Sequence, residues 1–155
     1  MYKRILVPLD GSPRAEKILP HVEALSTQGK STVILLEVIE PAAAGFTPSV
    51  SMMVTPPPQE LELYWKSLKA AEEGAAEYLE GKAKELEKKG IATERVIQRG
   101  DPVNTVVNAA REKNADLIAM TSHGRSGLQR VFYGSVTSGV LHKVDRPLLL
   151  IRADR

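Results

Sequence analysis

Short apolar runs alternate along the chain with segments of helical period. Ile5-Leu6-Val7 and Leu148-Leu149-Leu150-Ile151 are unbroken apolar runs, the pattern of parallel strands covered on both faces. Five strands are predicted, over residues 5–9, 33–39, 91–97, 116–121 and 148–151. The third differs in alternating apolar and polar positions. Between the strands lie four helical segments. Residues 13–25 open after Ser12, an N-cap residue followed by proline at the first helical position. Residues 60–89 are long and charged, with Glu85 and Lys89 at the supporting i,i+4 spacing, and Gly90 closes them. Asp101-Pro102 opens a third helix running to residue 113. A fourth spans 135–143, with Pro147 beyond its end. Strands alternating with helices predict an α/β fold: a five-stranded, open, parallel sheet in the order 3-2-1-4-5 with helices on both faces, Rossmann-like.

Composition narrows the picture. The 155 residues suit one domain over 1–155, and 43% hydrophobic residues supply a sizeable core. A net charge of +2 is too small to make nucleic acid or an anionic membrane the main partner. The absence of cysteine excludes disulfides, thiol nucleophiles and thiolate metal sites. No apolar run approaches the roughly 18 residues of a membrane span, and the start turns polar too soon for a signal peptide. A cytoplasmic protein is expected. Residues 41–59 form an uncharged stretch with prolines at 48 and 56–58. It reads either as a tethered surface connection or as a lid or contact for a protein partner.

Two nucleotide signatures fail. Ala24-x-x-x-x-Gly29-Lys30-Ser31 resembles a Walker A loop, but that loop needs a strand before it and a helix after it. Here the order is reversed, so it reads as a helix end and turn. The dinucleotide pattern G-x-G-x-x-G is absent. The informative stretch is Met120-Thr121-Ser122-His123-Gly124-Arg125-Ser126-Gly127, followed by Gly134-Ser135-Val136-Thr137. Strand four runs into a Gly/Ser-rich loop, and a helix opens at Ser135. Small residues let backbone approach a ligand, successive N–H groups make an anion nest, and the helix N-terminus adds positive charge. Arg125, Ser122, Ser126 and Ser135 suit phosphate oxygens. Strand one ends in Val7-Pro8-Leu9-Asp10-Gly11-Ser12. In the predicted order, strands one and four are neighbours at a switch point, where ligands bind. Asp10 then faces a ribose hydroxyl or an adenine amino group, or else closes an Asx turn into the next helix.

These residues resemble the universal stress protein family. Its members begin with a strand ending in Val-Pro-x-Asp-Gly-Ser and carry Gly-x-Pro after the third strand, matched by Gly100-Asp101-Pro102. Nucleotide-binding members have Gly-x-x-Gly, nine residues, then Gly-Ser/Thr; here Gly124, nine residues and Gly134-Ser135 match, with Thr121 in place of the first glycine. The resemblance implies ATP held by Asp10 and the backbone of Pro8 and Val38. It places Met120, Gly124, Arg125, Ser126 and Gly127 around ribose and phosphates, with Ser135, Val136 and Thr137 on the phosphate tail. Mg2+ or Mn2+ would be carried by the phosphates, with no protein metal site. It also implies a homodimer paired through strand 148–151.

His123 invites a general-base reading, but no acidic partner lies near it in sequence, and His21 and His142 show no metal spacing with it. No Gly-x-Ser-x-Gly elbow surrounds a serine. The expected function is a dimeric, nucleotide-responsive module with no assigned catalytic residue. The alternatives are a weak ATPase or self-phosphorylating enzyme, and a nucleotide-free interaction dimer. Met52-Met53 and Tyr64-Trp65 are expected to pack in the interior.

Overall fold

The computed structural model describes residues 1–41, 57–122 and 134–152. The apolar runs become β1 (Arg4–Leu9), β2 (Thr32–Ile39), β3 (Ala92–Arg99), β4 (Leu117–Thr121) and β5 (Leu148–Ile151). They form one parallel sheet in the order β3-β2-β1-β4-β5, as the sequence predicts. Register runs Ile5↔Val33 between β1 and β2, Ile5↔Leu117 between β1 and β4, and Ala119↔Leu149 between β4 and β5.

Side chains alternate across a strand, so each buried strand feeds two cores. Ile5, Val7, Val33 and Leu35 point to one face, where Ile18, Val22, Leu79 and Ala83 cover them. Leu6, Ile34, Leu36 and Ile118 point to the other, against Val106, Ala109, Ala110 and Val140. Each fully buried aliphatic side chain contributes about 1.5–3 kcal/mol. The helices that supply these layers are α1 (Pro13–Glu16), α2 (Leu19–Gly29) and α3 (Pro58–Glu87) on the first face, with α4 (Pro102–Glu112) and α5 (Ser135–Lys143) on the second. Gly139 lets α5 lie close to α4: a Cβ there would stand 2.6 Å from a methyl of Val103.

Local chemistry sets the helix ends. Ser12 Oγ accepts from the Ala15 amide at 3.1 Å, and Asp101 Oδ1 accepts from the Asn104 amide at 2.9 Å. Both are N-caps followed by proline. The first helix does not run unbroken over 13–25. It stops at Glu16 and restarts at Leu19, because Pro20 has no N–H for the Glu16 carbonyl and its ring would collide with it. The Walker-like stretch is the end of α2, where Lys30 takes a left-handed φ of 51° and the Ser31 hydroxyl donates to the Tyr2 carbonyl at 2.7 Å. Of the stretch 41–59, residues 42–56 lie outside the described residues, while Pro58 and Gln59 are already helical and open α3. Met52 and Met53 lie outside as well. Tyr64 packs against Ile39, Leu68 and Ala75, but Trp65 is 52% exposed, against expectation. Tyr64 and Leu68 on either side of it turn toward the core, which puts Trp65 on the exposed face of α3.

Candidate functional site: a crevice at the switch point

From the end of β1 the chain turns to α1 on one face; beyond β4 it re-enters at α5 on the other. Neighbouring strands whose connections diverge leave a gap beyond their carboxyl ends. The gap here is an open crevice of about 680 Å³, within the size range of small-molecule sites. Pro8 and Asp10 enter it from the end of β1, Val38 from β2, and Met120 and Thr121 from β4. Gly134, Ser135, Val136 and Thr137, the opening turn of α5, line its far side. These predicted residues, scattered along the chain, therefore meet at one surface. Ser122 is buried and does not line the crevice; its amide donates to the Ile151 carbonyl and its carbonyl accepts from the Gly134 amide, each at 2.8 Å. His123, Gly124, Arg125, Ser126 and Gly127 lie outside the described residues.

Asp10 closes the Asx turn that its sequence context offers and also borders the crevice. Its Oδ1 accepts from the Ser12 amide at 2.9 Å, in the turn that leads into α1. Gly11, with φ of 73°, makes the turn possible. Thr121 occupies its position as the last, buried residue of β4, paired with Ile151. It is not among the positive-φ residues, so the replacement of glycine costs no backbone strain there. The Thr137 hydroxyl donates to the Thr121 carbonyl at 3.0 Å and pins α5 to the strand end. Gly134, the N-cap of α5, has no side chain to cap the helix. The first-turn amides, which an α-helix leaves without internal acceptors, belong to residues that line the crevice, Ser135 and Val136 among them.

Sequence reasoning missed the wall opposite. Ala71, Gly74, Ala75 and Tyr78 of α3 line the crevice, as do Glu37 and Glu40 at the end of β2. Small residues at helical spacing in an otherwise charged helix were a usable signal for the first three. Glu37 is a carboxylate only 8% exposed in a strand otherwise made of core residues. The Tyr78 hydroxyl donates to Glu16 Oε1 at 3.1 Å. Burial raises the phenol's pKa well above its ordinary value, and the charges of Glu16, Glu37 and Asp10 push it further the same way. The described lining thus carries Asp10, Glu37 and Glu40 and no basic side chain. Among the described residues no group of three His, Cys, Asp or Glu side chains can hold a metal ion, and no helix is long and apolar enough to cross a membrane.

An open doubly wound sheet with a ligand-sized crevice at its switch point defines the class: a Rossmann-like α/β protein. The chain belongs to the universal stress protein family, whose model matches residues 1–152. It is 35% identical over 155 residues to universal stress protein MJ0577 of Methanocaldococcus jannaschii, covering 98% of this chain and 96% of that one. The solved structure of MJ0577 is similar with a TM-score of 0.86 and 32% identity, covering 100% of this chain and 99% of the other. A family protein from Arabidopsis thaliana, solved with AMP bound, has a TM-score of 0.63 at 16% identity, covering 98% and 92%. A universal stress protein solved in complex with cAMP has a TM-score of 0.61 at 17%, covering 99% and 98%. These last two share the fold.

Proposed function

We propose that this chain binds ATP in the crevice and works as a dimeric, nucleotide-responsive module of the cytoplasm. One observation carries the reading: a carboxylate, Asp10, and a helix N-terminus without a side-chain cap, at Ser135, border the same crevice. A carboxylate accepts hydrogen bonds from a nucleoside's hydroxyl or amino groups, while helix amides accommodate phosphate. The AMP and cAMP complexes of proteins with this fold support an adenine nucleotide as the ligand class. Pro8 and Val38 then offer backbone to the nucleoside, and Met120 and Thr121 lie toward ribose and phosphates. Three carboxylates and no basic side chain in the described lining favour a nucleotide that arrives with Mg2+ or Mn2+ on its phosphates.

Mass spectrometry of nucleotide released from the acid-denatured protein, with calorimetry on Asp10→Ala, tests this. ATP should be released, and Asp10→Ala should weaken adenosine and ATP alike, by about 1–3 kcal/mol. A variant that loses ATP but keeps adenosine would move Asp10 away from the nucleoside.

The dimer reading rests on β5. It is an edge strand of four half-buried apolar residues, and an uncovered apolar edge invites pairing. The carbonyls of Pro147 and Ile151 accept from Ile118 and Ser122, so the odd-numbered backbone groups face β4. Leu148 and Leu150 therefore present theirs outward. Leu150→Pro should give a folded monomer, whereas Leu149→Pro removes an inward donor and should unfold the sheet edge. Light scattering and circular dichroism on both variants decide it. Two folded dimers would overturn the interface.

A further inference from the structure

Along the crevice wall of α3 the side chains shrink and then abruptly grow. Ala71, Gly74 and Ala75 contribute little beyond backbone, and one turn later Tyr78 supplies an aromatic ring. That ring is held at its tip and on its face. Its hydroxyl donates to Glu16 Oε1 at 3.1 Å. Lys82, a turn further on, pairs with Glu16 Oε2 at 2.9 Å and places its Nζ 5.8 Å from the ring centroid. The phenol thus spans from α3 to α1 and bounds the crevice on the side where Asp10, Gly11 and Ala15 enter it. A tyrosine fixed at two points is a pre-organised flat surface, because little rotamer freedom remains to be lost when a ligand meets it.

We infer that Tyr78 is a specificity-determining residue that makes the site prefer purine over pyrimidine nucleotides. The inference rests on the nucleotide reading above and adds the selectivity of its base end. The small residues leave room for a planar base beside α3, and the ring of Tyr78 limits that room with an apolar, polarisable face. A purine extends one ring further from the sugar than a pyrimidine and so reaches a wall that the smaller base does not fill. Phosphates contribute equally to both nucleotides, so the difference resides at the base.

Calorimetry with ATP and CTP separates the possibilities, because both carry the same triphosphate and an exocyclic amino group. The unsubstituted protein should prefer ATP by about tenfold, the scale of a single base–aromatic contact. Tyr78→Leu, which keeps an apolar side chain, should reduce that preference to within about threefold by weakening ATP. Tyr78→Phe should retain most of it, since the ring survives without its tether. An unchanged ATP-to-CTP ratio in Tyr78→Leu overturns the wall and leaves nucleotide binding standing. An unsubstituted protein that binds neither nucleotide overturns both. Proton resonances of the Tyr78 ring in the unsubstituted protein give a readout independent of any variant's folding. ATP should shift them by ring current more than CTP does, and equal or absent shifts overturn the inference.

Discussion

The two ends of the sheet are finished differently. At the amino-terminal end, Asp116 accepts from the Lys3 and Arg4 amides at 2.7 and 3.0 Å. Arg4 donates to the Lys113 carbonyl at 2.6 Å, and Glu94 binds both Arg4 and Lys113 at 2.8 and 2.6 Å. Nearby, Arg146 donates to the carbonyls of Ala110 and Ala115 at 2.7 and 2.8 Å. The bonds to Asp116 and to the Lys113 carbonyl join the start of the chain to segments more than a hundred residues away. At the carboxyl end the strands stop at a crevice, with carboxylates along one side and a helix terminus without a side-chain cap on the other. The contrast teaches that one sheet can finish in two ways. At one end polar groups from distant segments close on one another and hold the fold, and at the other they border an open gap, where the proposed nucleotide site lies.

Three substitutions test that division, beginning with the largest effect. Arg146→Ala should destabilise the fold by roughly 3 kcal/mol, since one guanidinium, mostly buried, serves the Ala110 carbonyl near the end of α4 and the Ala115 carbonyl in the turn beyond it. Chemical denaturation measures the loss, and nucleotide affinity below the melting range should not change. An affinity that falls with stability would break the comparison.

Ser135→Pro should do the reverse. Proline suits the first helical position, and Gly134 already has φ of −63° and ψ of 159°, which a following proline accepts. The substitution removes an amide donor and a hydroxyl while leaving α5 intact. ATP affinity should drop by about 2 kcal/mol, the scale of a hydrogen bond to a charged group, with adenosine affinity and melting temperature unchanged. A loss of adenosine binding would mean that α5 contacts the nucleoside.

The smallest effect concerns pH. Lys113, and then Arg4, hold the Glu94 carboxyl below its ordinary value of 4.5. A carboxylate depressed in the folded state stabilises above its unfolded pKa and loses that contribution as pH falls through the folded one. Glu94→Gln should therefore cost about 1 kcal/mol or less at neutral pH. The gap between the two proteins should close as the solution is acidified below about pH 4.5. Denaturation midpoints across that range report it, and a gap that widened would reverse the assigned sign.

The parallel, doubly covered sheet was legible because strands buried on both sides leave unbroken apolar runs, as in Ile5-Leu6-Val7, whereas which helices cover which face was not. Pro8, Asp10, Val38 and the 134–137 turn were legible as a set through the family's landmarks; spacing alone did not join Val38 to them. The break before Leu19 was missed since the Ser12-Pro13 start signal outweighed Pro20. Tyr78 and Glu37 were missed for a different reason. A tyrosine in a charged helix and a glutamate in an apolar strand have no local pattern, and only the packing of α3 over the strand ends gives them a common neighbour. Trp65 shows the converse, an aromatic next to a core-packing Tyr64 that the helical period turns to the exposed face of α3.

The amide of Gly134 donates to the Ser122 carbonyl, and the Thr137 hydroxyl reaches the Thr121 carbonyl. The chain thus rejoins the scaffold beside the point where it left. Two bonds between the end of β4 and the opening of α5 clamp strand and helix to each other, so the separation of these two crevice walls is set by the protein itself. The crevice at this corner therefore has a fixed gauge, held by one amide and one hydroxyl.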